Sequence, residues 1–343
     1  MPPVHVLILR LSAMGDVAMA VPVLRTLAQT HPQIELTVCS RSFFKPLFAD
    51  IPNCGFLGAA VHREHKNEGI FKLAHQAKNL GITAVADLHG VIRTKLITNY
   101  LRLWGIKCAT IDKGRNEKRA LVAAHGGKIT QLKTTHQRYA DVFAALGLPI
   151  DLKTHPLPPR QKLLAGHHAV IGPQPKKLIG IAPFAAHKSK MYPWEMMVAV
   201  IKKLTETRNY KILLFGGGAE EKTKLKNLAN KLEDVENVAG RFSFKEELAL
   251  ISNLGAMVAM DSGNGHLAAM YGIPVLTLWG VTHPYAGFAP FRQHIKNQLV
   301  SDRSNYPKIP TSVYGNNYPK HYENAMGSIP VDLVVQKVLG LLQ

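Results

Sequence analysis

The chain has 343 residues, 46% of them hydrophobic, which is enough apolar material for a large core and favours two domains over one. This composition excludes a disordered chain, and three scattered cysteines without a CxxC pair exclude a disulfide framework and argue against a zinc site. Lys and Arg outnumber Asp and Glu by 42 to 23, a formal net charge of +19, so the expected partners are polyanions: nucleic acid, an anionic membrane or a phosphorylated saccharide.

The N-terminal region contains no predicted membrane span. Its apolar stretch, Val4–Leu24, is interrupted by Arg10, Asp16 and Pro22, and it lacks the layout of a signal peptide. We therefore expect a cytoplasmic protein that contacts a membrane only peripherally.

The first half of the chain alternates strands with helices. An apolar strand, His5–Leu9, leads through a turn ending at Asp16 into a helix at Val17–Gln29. A second strand follows at Glu35–Cys39. Further strands are predicted at Ala84–Leu88 and Cys108–Ile111. Strands that alternate with helices pair in parallel, so this half predicts an α/β sheet.

A proline-punctuated stretch, Asp151–Lys177, is the predicted linker to a second α/β series. The predicted strands of that series are Leu178–Ala182, Lys211–Phe215, Ala256–Met260 and Val275–Trp279. Its predicted helices are Pro193–Leu204, Glu220–Leu232, Gly265–Tyr271 and Val331–Leu342. Two such series predict two Rossmann-like domains that face a cleft, with ligands beyond the carboxyl ends of the strands.

Asp16 is the first candidate for chemistry, because it follows the first strand in the sequence Leu11-Ser12-Ala13-Met14-Gly15-Asp16. A carboxylate at the end of a strand is well placed to act as a general base. The alternative is an N-cap of the helix, a stabilising contact of about 1 kcal/mol. The GxGxxG glycines of a dinucleotide site are missing.

Three loops of the second half could hold an anionic ligand. The loop with Lys188 and Lys190 precedes a helix, where a lysine can contact phosphate; a solvated loop is the alternative. Gly216-Gly217-Gly218 allows close approach to the backbone, although a tight strand-to-helix connection would look similar. The most specific loop is Asp261-Ser262-Gly263-Asn264-Gly265-His266, which predicts an anion cradle at a helix N-terminus; a capped helix with a half-buried His is the alternative.

Basic residues gather after two strands of the first half. Arg93 and Lys95 follow Asp87-Leu88-His89-Gly90, and Lys113, Arg115, Lys118 and Arg119 follow the strand at Cys108. Clustered around one cleft they would bind phosphate or carboxylate groups; a solvated face is the alternative. The spacing His62-Arg63-Glu64-His65 is interpreted as a loop, and no metal site is predicted.

Taken in order, these motifs resemble glycosyltransferase family 9, the heptosyltransferases of the lipopolysaccharide inner core. The resemblance rests on the Ser12–Asp16 turn, Asp87–Gly90, Lys190–Trp194, Phe215–Gly217 and Asp261–His266, with Pro274–Gly280 closing the series. It implies a GT-B fold and an inverting, metal-independent transfer from an ADP-activated heptose without a cofactor.

The resemblance also implies residue roles. Asp16 would be the catalytic base and Lys190 a donor-phosphate contact with a catalytic role. Glu220 or Glu221 would hold the ribose, and Arg241 and Phe242 would lie on the adenine side. The implied donor site comprises Lys188, Lys190, Gly217, Glu220, Glu221, Arg241, Phe242, Asp261, Ser262, Gly263, Gly265 and His266, and the acceptor site Ser12, Met14, Gly15, His89, Arg93, Lys95, Lys113, Arg115 and Arg119.

The sequence thus predicts an acceptor-binding domain at residues 1–165, a nucleotide-sugar domain at 176–328 and a final helix at 329–343, with the first domain as a candidate packing partner for that helix. The expected acceptor is an acidic, lipid-linked core saccharide at the cytoplasmic face of the inner membrane. Residues 1–175 carry 22 basic and 10 acidic residues, which accords with such an acceptor. The alternatives are a nucleotide-sugar epimerase of the same fold and a basic nucleic-acid-binding protein, for which no recognition motif is visible.

Overall fold

Five parallel strands form the sheet of the first half of the chain, in a computed structural model that describes residues 4–60, 69–172 and 176–343. The strands are β1 (His5–Leu9), β2 (Glu35–Ser40), β3 (Cys54–Gly58), β4 (Ala84–Asp87) and β5 (Lys107–Thr110). Their order is β3-β2-β1-β4-β5, so the chain reverses direction across the sheet between β1 and β4. Ligands of open α/β sheets bind at such a reversal, beyond the carboxyl ends of the strands.

Among the described residues, the helices of this part of the chain are α1 (Met14–Thr30), α2 (Gly69–Asn79), α3 (Ile92–Leu103), α4 (Arg115–Ala123), α5 (Thr135–Ala145) and α6 (Ala165–Ile171). Val6, Leu7, Ile8 and Leu9 of β1 are completely buried. A strand covered on both faces needs a continuous apolar run, which is why β1 was recognisable from the sequence.

Six parallel strands form the second sheet. They are β6 (Lys177–Ala182), β7 (Tyr210–Leu214), β8 (Val235–Asn237), β9 (Ala256–Met260), β10 (Val275–Trp279) and β11 (Gln298–Val300), in the order β11-β10-β9-β6-β7-β8. The helices are α7 (Trp194–Glu206), α8 (Ala219–Ala229), α9 (Phe244–Ser252), α10 (Gly263–Ala269) and α11 (Val331–Leu341). The reversal here lies between β6 and β9. The two parallel sheets confirm the predicted α/β class.

The contacts within the chain divide it at residues different from those predicted. One unit comprises the residues up to Arg115 and Lys133–Pro158; the other comprises Asn116–Leu132 and the residues from Pro159 onward. The segment Asn116–Leu132 belongs to the second unit because it makes contacts there. For example, the Leu132 N–H donates a hydrogen bond to the Tyr285 carbonyl at 2.9 Å. A pairing between residues so far apart leaves no trace in local sequence pattern.

The C-terminal helix α11 packs on α7 of the second unit, through buried residues such as Val334 and Val338. Packing of this helix on the first domain stays a prediction. The predicted loop at residues 62–65 lies outside the described residues. Within the described ranges, no helix combines the length and apolarity that crossing a bilayer would require.

Candidate active site

Asp16 of the first unit is paired with Arg10 at the reversal between β1 and β4. The Arg10 guanidinium forms an ion pair with the Asp16 carboxylate and donates from Nη1 to the Leu88 carbonyl at 2.9 Å. Arg10 is buried, whereas Asp16 is partly exposed. One side chain thereby ties the loop after β1 to the loop after β4, and it leaves the carboxylate accessible.

Asp16 occupies the third position of α1, and Ala13 precedes the helix as its N-cap residue. Asp16 is therefore not the N-cap residue, which was the alternative to a catalytic role. It still contacts the start of the helix, because its carboxylate accepts a long hydrogen bond of 3.4 Å from the Ala13 N–H. Tyr139 of α5 donates its hydroxyl to the Asp16 carbonyl at 3.2 Å, and its ring lies 6.0 Å from the Arg10 guanidinium. Sequence analysis assigned no role to Arg10 or Tyr139; an arginine directly after an apolar strand was the available signal.

The loop after β4 is built around the buried carboxylate of Asp87. Its Oδ1 accepts hydrogen bonds from the N–H groups of His89 at 2.9 Å and Gly90 at 2.8 Å. Burial raises the pKa of Asp87, and these bonds oppose that effect. Burial, together with the nearby Arg10 and Lys113 cations, lowers the pKa of His89 to about 3. His89 is therefore a neutral imidazole at physiological pH.

A cavity of about 650 Å³ opens beside these loops. Its lining comprises Ser12, His89, Gly90, Val91, Ile92, Arg93, Lys95 and Arg115. Lys113 adjoins it, with its Cε 3.5 Å from the position of a Cβ on Gly90. Burial and the charges of Arg10 and Arg115 lower the pKa of Lys113. A volume of this size suits a small ligand, and the cations favour an anionic one.

The structure brings together most of the predicted acceptor residues. Ser12, His89, Arg93, Lys95 and Arg115 line the cavity and Lys113 adjoins it. Met14 and Gly15 form the first two positions of α1. Arg119 lies in the part of α4 that belongs to the second unit, where its guanidinium donates to Asn116 Oδ1 at 2.8 Å. The structure does not place Arg119 among the cavity residues.

In the second unit, Lys190 and Asp261 meet at the reversal between β6 and β9. Lys190 Nζ lies 2.9 Å from Asp261 Oδ2, and both side chains are largely buried. The same oxygen accepts a hydrogen bond from Thr282 Oγ1 at 2.9 Å. Thr282, which sequence analysis missed, thus helps to fix the carboxylate. Lys188 of the same loop is exposed.

The loop predicted as an anion cradle leads from β9 into α10. Ser262 is the N-cap residue but its side chain does not cap; its Oγ is buried without a hydrogen-bond partner among the described residues. His266 is buried rather than half-buried. Gly263 begins α10, and Gly265 packs the helix onto the sheet: a Cβ there would lie 3.4 Å from Ala259 Cβ. A Cβ at Gly265 would therefore make only ordinary van der Waals contacts.

The two acidic candidates after β7, Glu220 and Glu221, have different partners in the structure. Glu221 Oε2 accepts the Gly217 N–H at 2.7 Å and so belongs to the turn itself. Glu220 is exposed and pairs with Lys224 at 2.8 Å; this bond, more than the charge of Lys188, lowers the pKa of Glu220. On the predicted adenine side, Arg241 pairs with Glu236 at 3.2 Å and the Phe242 ring lies 4.8 Å from the His167 ring.

Comparison with known proteins decides the family. The model of glycosyltransferase family 9 (heptosyltransferase) matches residues 70–318. The chain belongs to glycosyltransferase family 9. This family 9 protein is 24% identical over 296 residues to the lipopolysaccharide core heptosyltransferase OpsX of Haemophilus influenzae, covering 82% of this chain and 80% of the relative. It is 26% identical over 294 residues to lipopolysaccharide heptosyltransferase 1 of Pseudomonas aeruginosa, covering 82% and 79%.

Solved structures agree on the fold of the family 9 protein. A glycosyl transferase family 9 structure from Veillonella parvula superposes with a TM-score of 0.72 at 17% identity, covering 98% of this chain and 97% of that one. ADP-heptose LPS heptosyltransferase II of E. coli superposes with a TM-score of 0.69 at 19% identity, covering 98% of each chain. The two Rossmann-type units are therefore those of a GT-B glycosyltransferase, as predicted.

Proposed function

We propose that this family 9 glycosyltransferase is an inverting, metal-independent enzyme that moves a heptose from ADP-heptose onto the inner core of lipopolysaccharide. The observation that carries the proposal is the Asp16 carboxylate, held by Arg10 at a strand end beside a cationic cavity. A fixed carboxylate next to a site for an anionic acceptor is the arrangement that general-base catalysis of sugar transfer requires.

In the proposed reaction, Asp16 accepts the proton of the acceptor hydroxyl as the oxygen attacks the anomeric carbon. The new carbon–oxygen bond forms as the bond to the nucleotide diphosphate breaks, and ADP leaves from the opposite face. A single displacement of this kind inverts the anomeric configuration. The pKa of about 3 makes the neighbouring His89 imidazole a weak base, so we assign proton acceptance to the Asp16 carboxylate.

The donor half of the proposal rests on Lys190, Ser262 and the N-terminus of α10. The Lys190 ammonium and the Ser262 hydroxyl supply the donors that a leaving diphosphate needs. Two solved E. coli WaaC structures contain ADP and ADP-2-deoxy-2-fluoro heptose, which supports an ADP-linked donor here. Within residues 4–60, 69–172 and 176–343, no three His, Cys, Asp or Glu side chains form a metal-binding group.

The acceptor half rests on the cations Arg93, Lys95 and Arg115 around the cavity. Carboxylates and phosphates of an inner-core saccharide would pair with them. Because such an acceptor is anchored to lipid, we place the enzyme at the cytoplasmic face of the inner membrane, in peripheral contact with it. Of the residues assigned to the nucleotide, Glu220 is paired with Lys224 and Arg241 with Glu236.

The test is incubation with ADP-heptose, UDP-GlcNAc or GDP-mannose, each with a delipidated core acceptor, followed by mass spectrometry of the products. A heptose-sized mass increase of the acceptor with ADP-heptose alone is expected. A product that forms without acceptor would indicate an epimerase instead. DNA binding that weakens steeply with salt, without any sugar transfer, would indicate a nucleic-acid-binding protein.

A further inference from the structure

Helix α3 exposes an apolar stripe to solvent. Ile92, Leu96 and Leu103 are 79%, 40% and 87% exposed. At 100° per residue these positions lie within an arc of about 40° on one side of the helix. The opposite side, with Thr94, Ile97 and Leu101, is buried against the unit. The stripe is therefore a second apolar face of the helix, additional to the one that builds the core.

Aromatic residues extend the stripe at its C-terminal end. Trp104, which follows α3, is 56% exposed, and Phe71 of α2 is 47% exposed. The Tyr100 ring connects them, with centroids 5.9 Å from Phe71 and 6.5 Å from Trp104. We call Phe71, Ile92, Leu96, Leu103 and Trp104 the α2–α3 face. Exposed apolar side chains gathered on neighbouring helices favour a binding surface.

The charged side chains of helices α2 and α3 have a single sign. Helices α2 and α3 contain Lys72, Lys78, Arg93, Lys95 and Arg102 and neither an Asp nor a Glu. Lys78 Nζ lies 3.0 Å from the centroid of the Trp104 ring, so a cation lies directly against the apolar surface. Leu, Phe and Trp bordered by lysine and arginine form the side-chain pattern of helices that lie in the headgroup region of anionic membranes.

We propose that the α2–α3 face docks the enzyme on an anionic lipid bilayer, with the apolar side chains in the headgroup region and the cations against lipid phosphates. This deepens the proposed function and rests on it for the lipid-linked acceptor. The first turn of α3 belongs both to the α2–α3 face and to the cavity, because Ile92, Arg93 and Lys95 also line the cavity beside Asp16. Docking α3 on the bilayer brings that cavity to the surface where the acceptor is anchored.

Charge disfavours a second copy of the chain as the occupant. In a two-fold symmetric contact the same face meets itself, so five cations on one copy would oppose five on the other. Anionic lipid supplies the opposite charge, and phosphates on a nucleic acid would leave the Leu and Trp side chains without an apolar partner.

The test measures binding of the full chain to vesicles of phosphatidylcholine alone and of phosphatidylcholine with phosphatidylglycerol. The variant is Leu96→Ser with Leu103→Ser, and the control is Leu157→Ser with Leu164→Ser, whose side chains are also exposed. We expect binding to the anionic vesicles only, at least about tenfold weaker in the variant and unchanged in the control. Brominated lipids should quench Trp104, a signal lost in Trp104→Phe, while buried Trp279 stays unquenched.

Vesicle binding and heptose transfer are measured independently, so the docking proposal and the proposed function can each be contradicted without the other. Transfer to a delipidated acceptor should be the same in the Leu96→Ser, Leu103→Ser variant as in the wild type. Equal vesicle binding by variant and wild type, or no quenching of Trp104, would overturn the docking proposal. So would a dimer in sedimentation velocity that the variant abolishes. Vesicle binding without any heptose transfer would instead count against the proposed function alone.

Discussion

Lys190 Nζ lies 2.9 Å from Asp261 Oδ2, and this ion pair connects the loop after β6 with the loop after β9. The lysine that we assign to the donor phosphates is thus already held in place by a carboxylate. Thr282 fixes that carboxylate from the other side. The pair is preorganised, because binding a diphosphate does not have to order a free lysine side chain.

Replacement of Lys190 by alanine should weaken donor binding and slow transfer. A charge-assisted hydrogen bond contributes about 1.5–3 kcal/mol, which corresponds to a roughly 10- to 150-fold loss of donor affinity. Isothermal titration with ADP measures the loss. Lys203→Ala is the control, because Lys203 pairs with Asp332 at 2.6 Å on the exposed surface. Loss of wild-type activity in EDTA, restored by Mg²⁺ or Mn²⁺, would contradict the metal-independent role of Lys190.

Asp16→Asn should abolish transfer and leave donor affinity within a few fold. The amide keeps the size of the side chain but cannot accept the proton, and loss of a general base lowers the rate by about 10²–10⁴-fold. Asp50→Asn is a matched control, because Asp50 pairs with the buried Arg25 at 2.7 Å in the same unit. If Asp16→Asn turned over near the wild-type rate, the Asp16 carboxylate would have a structural role and would not be the catalytic base.

Arg10→Lys should lower kcat and leave the donor Kd unchanged. Lysine keeps the positive charge but cannot reach both Asp16 and the Leu88 carbonyl as the guanidinium does. A base displaced by about 1 Å can lose up to roughly 100-fold in rate. Partial rescue of Arg10→Ala by added guanidinium would confirm the positioning role. A change in donor Kd without a change in kcat would count against it.

Neutralising the cavity cations should raise the acceptor KM. The triple variant Arg93→Gln, Lys95→Gln, Arg115→Gln removes three charges from the cavity lining. The effect should shrink as salt rises, because exposed charges are screened over about 8–10 Å at physiological ionic strength. The control triple, Arg41→Gln, Lys45→Gln and Lys153→Gln, removes three exposed charges from the same unit. An acceptor KM equal in both triples at low salt would show that the cavity does not bind the acceptor.

Acid should destabilise the second unit through His283. Burial, and then the charge of Arg303, lowers the pKa of His283 to about 4, against about 6.5 for an unfolded histidine. Between these values the unfolded chain binds a proton that the folded chain does not, so stability falls as pH falls from 6.5 to 4, by at most about 1.4 kcal/mol per pH unit. His283→Asn keeps an acceptor for the Tyr285 N–H and should flatten this dependence.

Urea unfolding at pH 7, 6 and 5 measures the effect of His283→Asn. The control is His125→Asn, since His125 is exposed and has a positive φ of 38° that asparagine tolerates. Parallel pH profiles of wild type and His283→Asn would show that His283 does not couple protonation to folding.

The sequence by itself determined the α/β class, most of the central strands and the loops that carry Asp16, Lys190 and Asp261. Strands β1, β9 and β10 were predicted at their observed bounds, because a strand buried on both faces is a continuous apolar run that ends at a polar or glycine turn. Strand β8 has three residues and β3 contains two glycines, so neither shows such a run.

Only the tertiary structure decided which side chains meet. Tyr139 donates to the carbonyl of Asp16 across 123 positions of sequence, and Arg10 reaches the carbonyl of Leu88 across 78. The structure also left Arg119 out of the cavity lining and turned Ile92, Leu96 and Leu103 of α3 outward. Local pattern reports only whether a residue suits a buried or an exposed face. Which residue lies opposite it is set by strand order and helix packing, and these depend on the whole chain at once.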